Sequence, residues 1–279
     1  SAAADPGPVG VLRVGPWRPS WTPRRHAAAV EKVRQAIGRG DVYQANVVGH
    51  AQADYDGDLD AVLTAVSGLA GAPFGGALAG DGWAVASASP ECLAVVADGT
   101  VTTKPIKGTG PATEAGAREL RESVKERAEH VMIVDLERND LAHVARPGTV
   151  AVPELFALRE WCGLWQAEST VTARLRHGVG LAEVLRAICP PGSVTGTPKL
   201  AALDHIAALE PVGRGPAMGA LGYVTAERAT LGLTIRTVAA DESRLHLWAG
   251  GGITWRSRPE AEVAEAAAKA DPVKAALAV

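Results

Sequence analysis

The sequence predicts an α+β fold, in which runs of short strands are mixed with helices. Between residues 75 and 103, four short apolar segments are separated by Gly-Asp-Gly, Ser-Pro and Asp-Gly turns, which is typical of antiparallel strands. Other segments carry apolar residues at helical spacing. Together these runs, with no internal repeat, indicate an α+β architecture.

The first half of the chain begins with an amphipathic pattern from His26 to Ile37, which predicts a helix ending at Gly38–Gly40. A β-branched and apolar run predicts a strand over 42–53, and a shorter helical pattern follows over 59–69. The turn-bounded strands come next, and the stretch 113–144 then predicts one long helix or two abutting ones. The four strands cover 75–79, 83–87, 92–97 and 101–103.

The second half continues with strands over 150–158 and 169–175, followed by a helix over 181–188 that ends at a Pro-Gly loop. A further helix is predicted over 198–209. Apolar and β-branched segments then predict strands over 218–225, 231–239 and 245–249. An Ala-rich helix from Pro259 to about Leu277 closes the chain.

The domain organisation is predicted to be simple. Residues 1–25 contain five prolines, a composition that resists regular structure, and we interpret them as a Pro-rich arm. Residues 26–279 contain no linker and form one catalytic domain. The chain starts at Ser1 and its only methionines are Met132 and Met218, so its start is processed or cut.

Composition excludes several classes of protein. Hydrophobic residues make up 47% and charged residues 21% of the 279 residues, as in ordinary globular proteins. The net charge of -3 removes the electrostatic argument for a nucleic-acid partner. No 18-residue apolar run predicts a membrane span, and the three cysteines fit neither a disulfide framework nor a metal motif. We therefore expect a cytoplasmic protein.

Two Glu-x-x-Glu pairs are the first candidate for chemistry. Glu126 and Glu129 share one face of the long predicted helix, and Glu262 and Glu265 share a face of the last helix. Like charges at this spacing cost about 0.2 to 0.5 kcal/mol when exposed, unless a hard cation such as Mg²⁺ reverses the sign. The alternative is two solvated helix faces.

Lys107 lies in the segment TTKPIKGTGP, between Pro105 and Gly108, where the glycine permits close approach of a ligand. A buried lysine near a second cation, here Lys104, can have its pKa lowered enough to act as a nucleophile. The alternative is an exposed loop lysine. Glu91 follows Ser-Pro at a strand end, where burial would let its carboxyl protonate a leaving hydroxyl, although ordinary turn chemistry explains it equally well.

Three further segments suggest an anionic ligand. The loop PPGSVTGTPK (190–199) resembles an anion cradle before a helix start, but it lacks the spacing of a nucleotide-binding P-loop. Arg236, within the predicted strand 231–239, requires a carboxylate partner if it is buried. Gly250, Gly251 and Gly252 would let a backbone amide approach such a ligand. The seven histidines show no HExxH or triad-like grouping, and we expect structural or surface roles for them.

Eight motifs, in order from Gly40 to about Ala270, resemble the chorismate-utilising enzymes. The resemblance implies a two-sheet sandwich with helices outside, of the kind found in anthranilate synthase component I, and a chain that lacks most of the usual N-terminal segment. It therefore implies apolar surface or strand edges for the arm, a partner or a second copy to cover. The motifs are GDVYQAN (40–46), SASPE (87–91), KPIKGTGP (104–111), KERAEHVMIVDLERND (125–140), PPGSVTGTPK (190–199), GALGYV (219–224), TIRT (234–237) and GGGITWRSRPEAEVAE (250–265).

Two positions discriminate among members of this family. Members that make isochorismate or salicylate carry a lysine base where this chain has Gln44, and members that make anthranilate usually carry alanine where it has Lys107. The PIKGT form is similar to members that make 4-amino-4-deoxychorismate on the way to 4-aminobenzoate and folate.

The resemblance also implies roles for individual residues. Lys107 would be the nucleophile and Glu91 the general acid, and Mg²⁺ would be held by Glu129 and Glu265 with help from Glu126 and Glu262. Ammonia would come from a separate glutamine amidotransferase subunit, because this chain contains no nucleophilic cysteine motif of that class. The substrate-binding residues would be Gln44, Thr109, Thr195, Tyr223, Arg236, Gly250, Gly251 and Lys269.

Two departures from the family pattern keep other readings open. The chain reads GTGP where relatives often have GTRPR, and Gln166 stands where many relatives carry a histidine. An anthranilate synthase component I is the nearest alternative. A chorismate-binding subunit without catalysis is the second alternative.

Overall fold

A computed structural model describes residues 12–278 as two antiparallel β-sheets with seven α-helices. One sheet has eight strands and the other has seven. The predicted α+β class is confirmed.

The eight-stranded sheet contains the first and the last strands of the chain, so its middle is assembled from residues that are far apart in sequence. Its longest pairing joins the strand that starts at Gln44 to the strand that ends at Ile253, which run antiparallel over ten residue pairs. Its strands are β1 (Leu12–Val14), β2 (Arg18–Pro19), β3 (Gln44–Gly57), β4 (Gly76–Gly80), β5 (Trp83–Ser87), β11 (Gly196–Thr197), β14 (Thr237–Ala240) and β15 (Arg244–Ile253).

The seven-stranded sheet is built from the middle of the chain and one later hairpin. Its strands are β6 (Cys92–Ala97), β7 (Thr100–Lys104), β8 (Ile106–Pro111), β9 (Ala151–Trp161), β10 (Leu164–Arg174), β12 (Ala220–Val224) and β13 (Arg228–Leu233).

Strand order follows from these pairings. The first sheet runs β1-β3-β15-β14-β5-β4, with β2 and β11 also pairing with β3. The second sheet runs β12-β13-β6-β7-β10-β8, with β9 pairing with β10.

Each sheet carries its own set of helices. Four helices pack against the first sheet and three against the second, and separate apolar clusters fill the two interfaces. Within residues 12–278, none of the helices is long and apolar enough to span a membrane. The first group is α1 (Pro23–Arg39), α2 (Leu59–Ser67), α6 (Lys199–Leu209) and α7 (Pro259–Ala276), and the second is α3 (Glu114–Glu122), α4 (Val124–Ala142) and α5 (Leu181–Ile188).

Two of the points at which the chain passes from one sheet to the other lie next to each other. The first lies between β5 and β6, and the second lies between β13 and β14. Backbone hydrogen bonds tie the crossings together, since Ala88 N–H donates to Arg236 O and Leu233 N–H donates to Glu91 O, each at 3.1 Å. Glu91 and Arg236, about 145 residues apart in sequence, therefore meet where the two sheets join.

This second crossing corrects the predicted strand 231–239, which is two strands in different sheets. Arg236 lies between them with φ of 54°, in the left-handed region that a non-glycine residue seldom adopts. The apolar pattern of Leu233, Ile235 and Val238 could not reveal the break, because both halves are buried strands.

Other boundaries also differ from the prediction. The segment 106–111, for which no strand was predicted, is strand β8, and the predicted arm contains β1, β2 and the start of α1 within residues 12–25. Residues 1–11 of the arm lie outside the described residues. The stretch 113–144 is two helices, because Ser123 ends α3 and caps α4 by accepting a hydrogen bond from Glu126 N–H at 3.2 Å.

Candidate active site

One cavity gathers most of the predicted site residues from both sheets and two helices. Eleven of the fourteen line it, together with Asn46, Gln166, Ser193 and Trp248. The eleven are Glu91, Lys107, Thr109, Glu126, Glu129, Arg236, Gly250, Gly251, Glu262, Glu265 and Lys269.

Lys107 reaches this cavity from a β-bulge in β8. The pairing with β10 places Thr109 opposite Gln166 and Lys107 opposite Ala167, so Gly108 is one extra residue in β8. Gly108 has φ of 86°, and a Cβ there would lie 2.9 Å from a Leu120 methyl carbon. Only glycine suits the bulge that turns Lys107 toward the cavity.

The surroundings of Lys107 favour its neutral amine. Burial and then the nearby ammonium of Lys269 lower its pKa, against the opposing effect of the surrounding carboxylates. Lys104, expected to be this second cation, instead donates to Glu168 at 3.4 Å, so that expectation is wrong. Gly252 lies beside the Lys107 Nζ, where a Cβ would collide with it. The absence of a side chain at Gly252 therefore leaves room for the Lys107 side chain.

Glu91 combines deep burial with a single strong donor. Its side chain is 6% exposed, and Ser193 Oγ–H donates to Oε1 at 2.7 Å. Burial raises its pKa to about 7, although Ser193 and the positive charge of Lys107 oppose the shift. A carboxyl with this pKa is half protonated near neutrality and can act as a general acid.

Arg236 presents a guanidinium that is not fully paired. The residue is 6% exposed, its Cζ lies 3.4 Å from the centroid of the Trp161 ring, and its Nη1 has no hydrogen-bond partner among the described residues. Burial lowers its pKa to about 9. A planar cation fixed on an aromatic face with a free N–H suits a carboxylate ligand.

The two glutamates of α4 share one lysine. Lys125 Nζ lies 3.2 Å from Glu126 Oε1 and 3.7 Å from Glu129 Oε1, and Thr254 Oγ1–H donates to Glu129 at 2.6 Å. Both carboxylates line the cavity, so the reading of a purely solvated helix face does not describe this pair.

The two glutamates of α7 have unlike surroundings. Lys269 Nζ lies 2.6 Å from Glu265 Oε1 and lowers the pKa of that carboxyl, despite burial. Glu262 is 7% exposed, and burial followed by the charge of Glu265 raises its pKa. A further positive charge near Glu262 would therefore stabilise its ionised form.

The four glutamate carboxylates of α4 and α7 are chemically suited to bind a hard cation. Four carboxylates from two helices are the oxygen donors that Mg²⁺ accepts, and Glu262 has no ammonium partner within ion-pairing distance among residues 12–278. In that part of the chain, no three acidic, histidine or cysteine side chains converge closely enough to hold a metal. Magnesium binding stays a prediction.

Three predicted binding residues lie outside the cavity lining. Tyr223 is 57% exposed on β12, because that strand lies at the end of its sheet and presents the ring to solvent. Thr195 is buried and donates its hydroxyl to Pro191 O at 2.8 Å. The Ser193 hydroxyl donates to Glu91, so neither of these two hydroxyls is free to bind an anion, and anion binding by the loop 190–199 stays a prediction.

Gln44 is fully buried behind the cavity wall. Neither its amide nitrogen nor its amide oxygen has a hydrogen-bond partner among the described residues, which is costly for a buried amide. A Cβ on Gly252 would lie 2.8 Å from Gln44 Nε2, so the Gln44 amide and the Lys107 amine approach the same glycine.

Several lining residues were missed by sequence reasoning. Asn46 and Ser193 each lie in a quoted motif, and Gln166 was noted only as a departure from the family pattern. Trp248 gave no signal, because a tryptophan in an apolar strand is ordinarily a core residue.

A second polar cluster was also not predicted from the sequence. Ser20, His50, His246 and Asp241 form a hydrogen-bonded chain, with distances of 2.5, 3.1 and 3.2 Å in that order. No sequence motif marks this grouping, because two paired strands bring residues 196 positions apart onto one face. Both rings also pack against Trp248. We call these four residues the histidine cluster.

Comparisons with known proteins agree with this architecture. The family model described as chorismate binding enzyme matches residues 5–275. The chain is 38% identical over 256 residues to aminodeoxychorismate synthase component 1 of Salmonella typhimurium, which covers 89% of this chain and 56% of that protein. It is 40% identical over 260 residues to anthranilate synthase component 1 1 of Halobacterium salinarum, which covers 89% of this chain and 49% of that protein.

A solved structure shows the same fold. Anthranilate synthase component I from Streptococcus pneumoniae superposes with a TM-score of 0.84 at 30% identity, over 92% of this chain and 59% of that one. The chain therefore spans about half the length of the curated relatives it matches. The predicted resemblance and the anthranilate synthase-like fold are confirmed, and the chain belongs to the family of chorismate-binding enzymes.

Proposed function

We propose that this chain aminates chorismate at C4, as an aminodeoxychorismate synthase that uses ammonia and a lysine-bound intermediate. The observation that carries the proposal is the meeting of Lys107, Glu91 and Arg236 in one cavity. A lysine with a lowered pKa, a carboxyl with a raised pKa and an incompletely paired guanidinium supply a nucleophile, an acid and an anion site.

In the first step the neutral amine of Lys107 attacks C2 of chorismate. The ring double bonds shift, the C4–O bond breaks, and the 4-hydroxyl leaves as water with a proton from Glu91. Protonating this oxygen contributes about 10²- to 10⁴-fold to such a step. The new C–N bond leaves a secondary ammonium on Lys107, which passes its extra proton to the Glu91 carboxylate and becomes a neutral amine.

In the second step ammonia adds at C4 and the double bonds shift back. The bond between C2 and the Lys107 nitrogen breaks, and the amine leaves with a proton from Glu91, which the ammonium formed at C4 then replaces. Two displacements at low barriers replace one difficult exchange of hydroxyl for amine.

The remaining charges would orient the two carboxylates of chorismate. Arg236 and the backbone around Gly251 would hold the enolpyruvyl carboxylate. When bound, Mg²⁺ would supply positive charge for the ring carboxylate, held by Glu129 and Glu265 with Glu126 and Glu262 nearby. We further propose that ammonia comes from a separate glutamine amidotransferase subunit and that the reaction takes place in the cytoplasm.

The test is the identity of the product. Purified protein with chorismate, Mg²⁺ and ammonium at alkaline pH should accumulate 4-amino-4-deoxychorismate, detected by mass spectrometry. The Lys107→Ala variant is the matched control and should form none.

Anthranilate synthase activity is the second candidate, because relatives of both names match at comparable identity. Anthranilate without a 4-amino product would favour it and overturn the main proposal. Binding of chorismate by calorimetry without turnover, even with an amidotransferase partner, would instead favour a non-catalytic subunit.

A further inference from the structure

We propose that His130 and Ser169 form a positioning pair that holds the backbone of Lys107 and thereby aims its side chain into the cavity. The inference rests on the proposed function in one respect, the role of Lys107 as the nucleophile. His130 is not among the residues that line the cavity, so it would act through Lys107 and not on the substrate.

His130 lies on α4 between Lys107 and Ser169. Its ring is 1% exposed, Nδ1 lies 3.3 Å from Lys107 O, and Nε2 lies 2.5 Å from Ser169 Oγ. A carbonyl oxygen only accepts, so Nδ1 carries the proton and donates to Lys107, and Nε2 accepts from the Ser169 hydroxyl. One neutral ring therefore satisfies both contacts at once.

Ser169 ties this ring to an irregular part of the neighbouring sheet. Its Oγ accepts a hydrogen bond from Phe156 N–H at 2.9 Å, and the β9–β10 register shifts between Glu168 and Thr170. Phe156 has φ of 61°, a left-handed backbone that a bulky residue adopts only when neighbours hold it there. The Phe156 ring also meets His130 edge-on at 5.0 Å. The four contacts join β8, β9, β10 and α4.

Lys107 needs such an anchor because it precedes the bulge at Gly108. The bulge interrupts the regular ladder that otherwise fixes a strand residue, and glycine adds conformational freedom. The hydrogen bond from His130 fixes the carbonyl of Lys107 at the point where the backbone departs from the ladder. A misplacement of about 1 Å at a reacting group can cost about 100-fold in rate.

The experiment compares two amides in place of the imidazole. In His130→Asn the side-chain amide nitrogen occupies the place of Nδ1 and can still donate to Lys107 O. In His130→Gln the amide lies nearer the place of Nε2 and reaches Ser169 instead. We expect kcat for chorismate consumption to fall about 10- to 100-fold in His130→Gln and markedly less in His130→Asn, with KM nearly unchanged in both.

Two further variants complete the design. Ser169→Ala removes one hydroxyl from the far side of the ring and should lower kcat about tenfold, which keeps the inference testable if a His130 variant fails to fold. His26→Asn is the matched control, since His26 is a buried histidine stacked on Trp21 in another part of the molecule. It should lower Tm without changing kcat.

The outcomes separate this inference from the proposed function. If Lys107→Ala keeps normal turnover, the lysine is not the nucleophile and the proposed function fails first. If Lys107→Ala is inactive while His130→Gln and Ser169→Ala keep wild-type kcat, the positioning pair is wrong and the proposed function stands. Equal losses in Asn and Gln that follow Tm would also overturn it, because they would mark a merely structural histidine.

Discussion

The cavity and the histidine cluster lie on two sides of Trp248, and they differ in whether their polar groups have hydrogen-bond partners. In the cluster, the Asp241 carboxylate only accepts, so His246 Nε2 donates to it, His50 Nε2 donates to His246 Nδ1, and the Ser20 hydroxyl donates to His50 Nδ1. Every ring nitrogen has a partner. At the cavity, Arg236 Nη1 has no hydrogen-bond partner among the described residues, and neither do the two polar atoms of the Gln44 amide behind the cavity wall.

This difference separates scaffolding from binding. A buried polar atom without a hydrogen-bond partner lowers the stability of the fold by about 1–3 kcal/mol. Several such atoms close together therefore indicate a place where another interaction offsets that loss. Lys107 and Glu91, which line the cavity, are both held toward their neutral forms by burial. We infer that the unpaired polar groups at the cavity bind a ligand and that the paired groups of the histidine cluster stabilise the sheet.

The largest expected effect comes from Lys107. Lys107→Ala should abolish chorismate turnover, because no other amine would attack from the bulge, while the protein stays folded. Lys104→Ala is the matched control, since Lys104 already has a partner in Glu168 and lies three residues away. Steady-state assays of both variants with ammonium check the contrast. Equal activity in the two variants would remove the lysine from the mechanism.

The next effect concerns Glu91, where activity and stability should move in opposite directions. Glu91→Gln cannot supply a proton, and we expect kcat to fall about 10²- to 10⁴-fold. The folded pKa of about 7 lies above the ordinary value of 4.5. Between these values the folded protein binds more protons than the unfolded chain, so stability declines as pH rises through this window.

Thermal unfolding tests the sign of this second effect. Wild-type Tm should fall relative to that of Glu91→Gln between about pH 5 and about pH 8, since only the wild type ionises a buried carboxyl there. A parallel pair of Tm curves would show that Glu91 keeps an ordinary pKa, and the proposed general acid would then lack its physical basis.

A smaller effect is expected at Arg236, whose buried Nη1 has no hydrogen-bond partner among the described residues. Arg236→Met should raise KM for chorismate about 10- to 100-fold through the loss of a charge-assisted hydrogen bond. Arg236→Lys keeps the charge but not the planar fork, so it should recover only part of the affinity. Arg159→Met is the control, because Arg159 is exposed and already paired with Glu154 at 2.9 Å. An unchanged KM in Arg236→Met would remove the anion site.

How much the sequence could predict depends on whether chemistry or topology places a residue. Lys107 and Glu91 were accessible because each lies in a local motif with unusual neighbours, and the fold class followed from local turns and periodicity. The break at Arg236 was not accessible, since a buried strand pattern looks the same whether it stays in one sheet or crosses to another.

Partners across the sheets were equally hidden. The cation beside Lys107 was expected to be Lys104, its neighbour in sequence. Lys104 instead ends β7 and contacts Glu168, while Lys269 comes from α7. The histidine cluster depends on the β3–β15 register, which places Trp248 opposite His50 and His246 opposite Gln52. Register follows from the packing of both faces, and no local pattern encodes it.

The smallest effect on turnover is expected at His50, in the histidine cluster. Burial and then the charge of His246 lower its pKa from 6.5 to about 4. In this window the unfolded chain binds more protons than the folded one, so wild-type stability should fall as pH drops from about 6.5 toward about 4. His50→Phe should lose this dependence and cost about 1–3 kcal/mol of stability at neutral pH, because Ser20 and His246 lose a partner. Unfolding curves across this range, measured beside kcat and KM, check both claims. Trp248 contacts the histidine cluster and also lines the cavity. A large change in KM in His50→Phe would therefore show that the cluster and the cavity act as one functional unit.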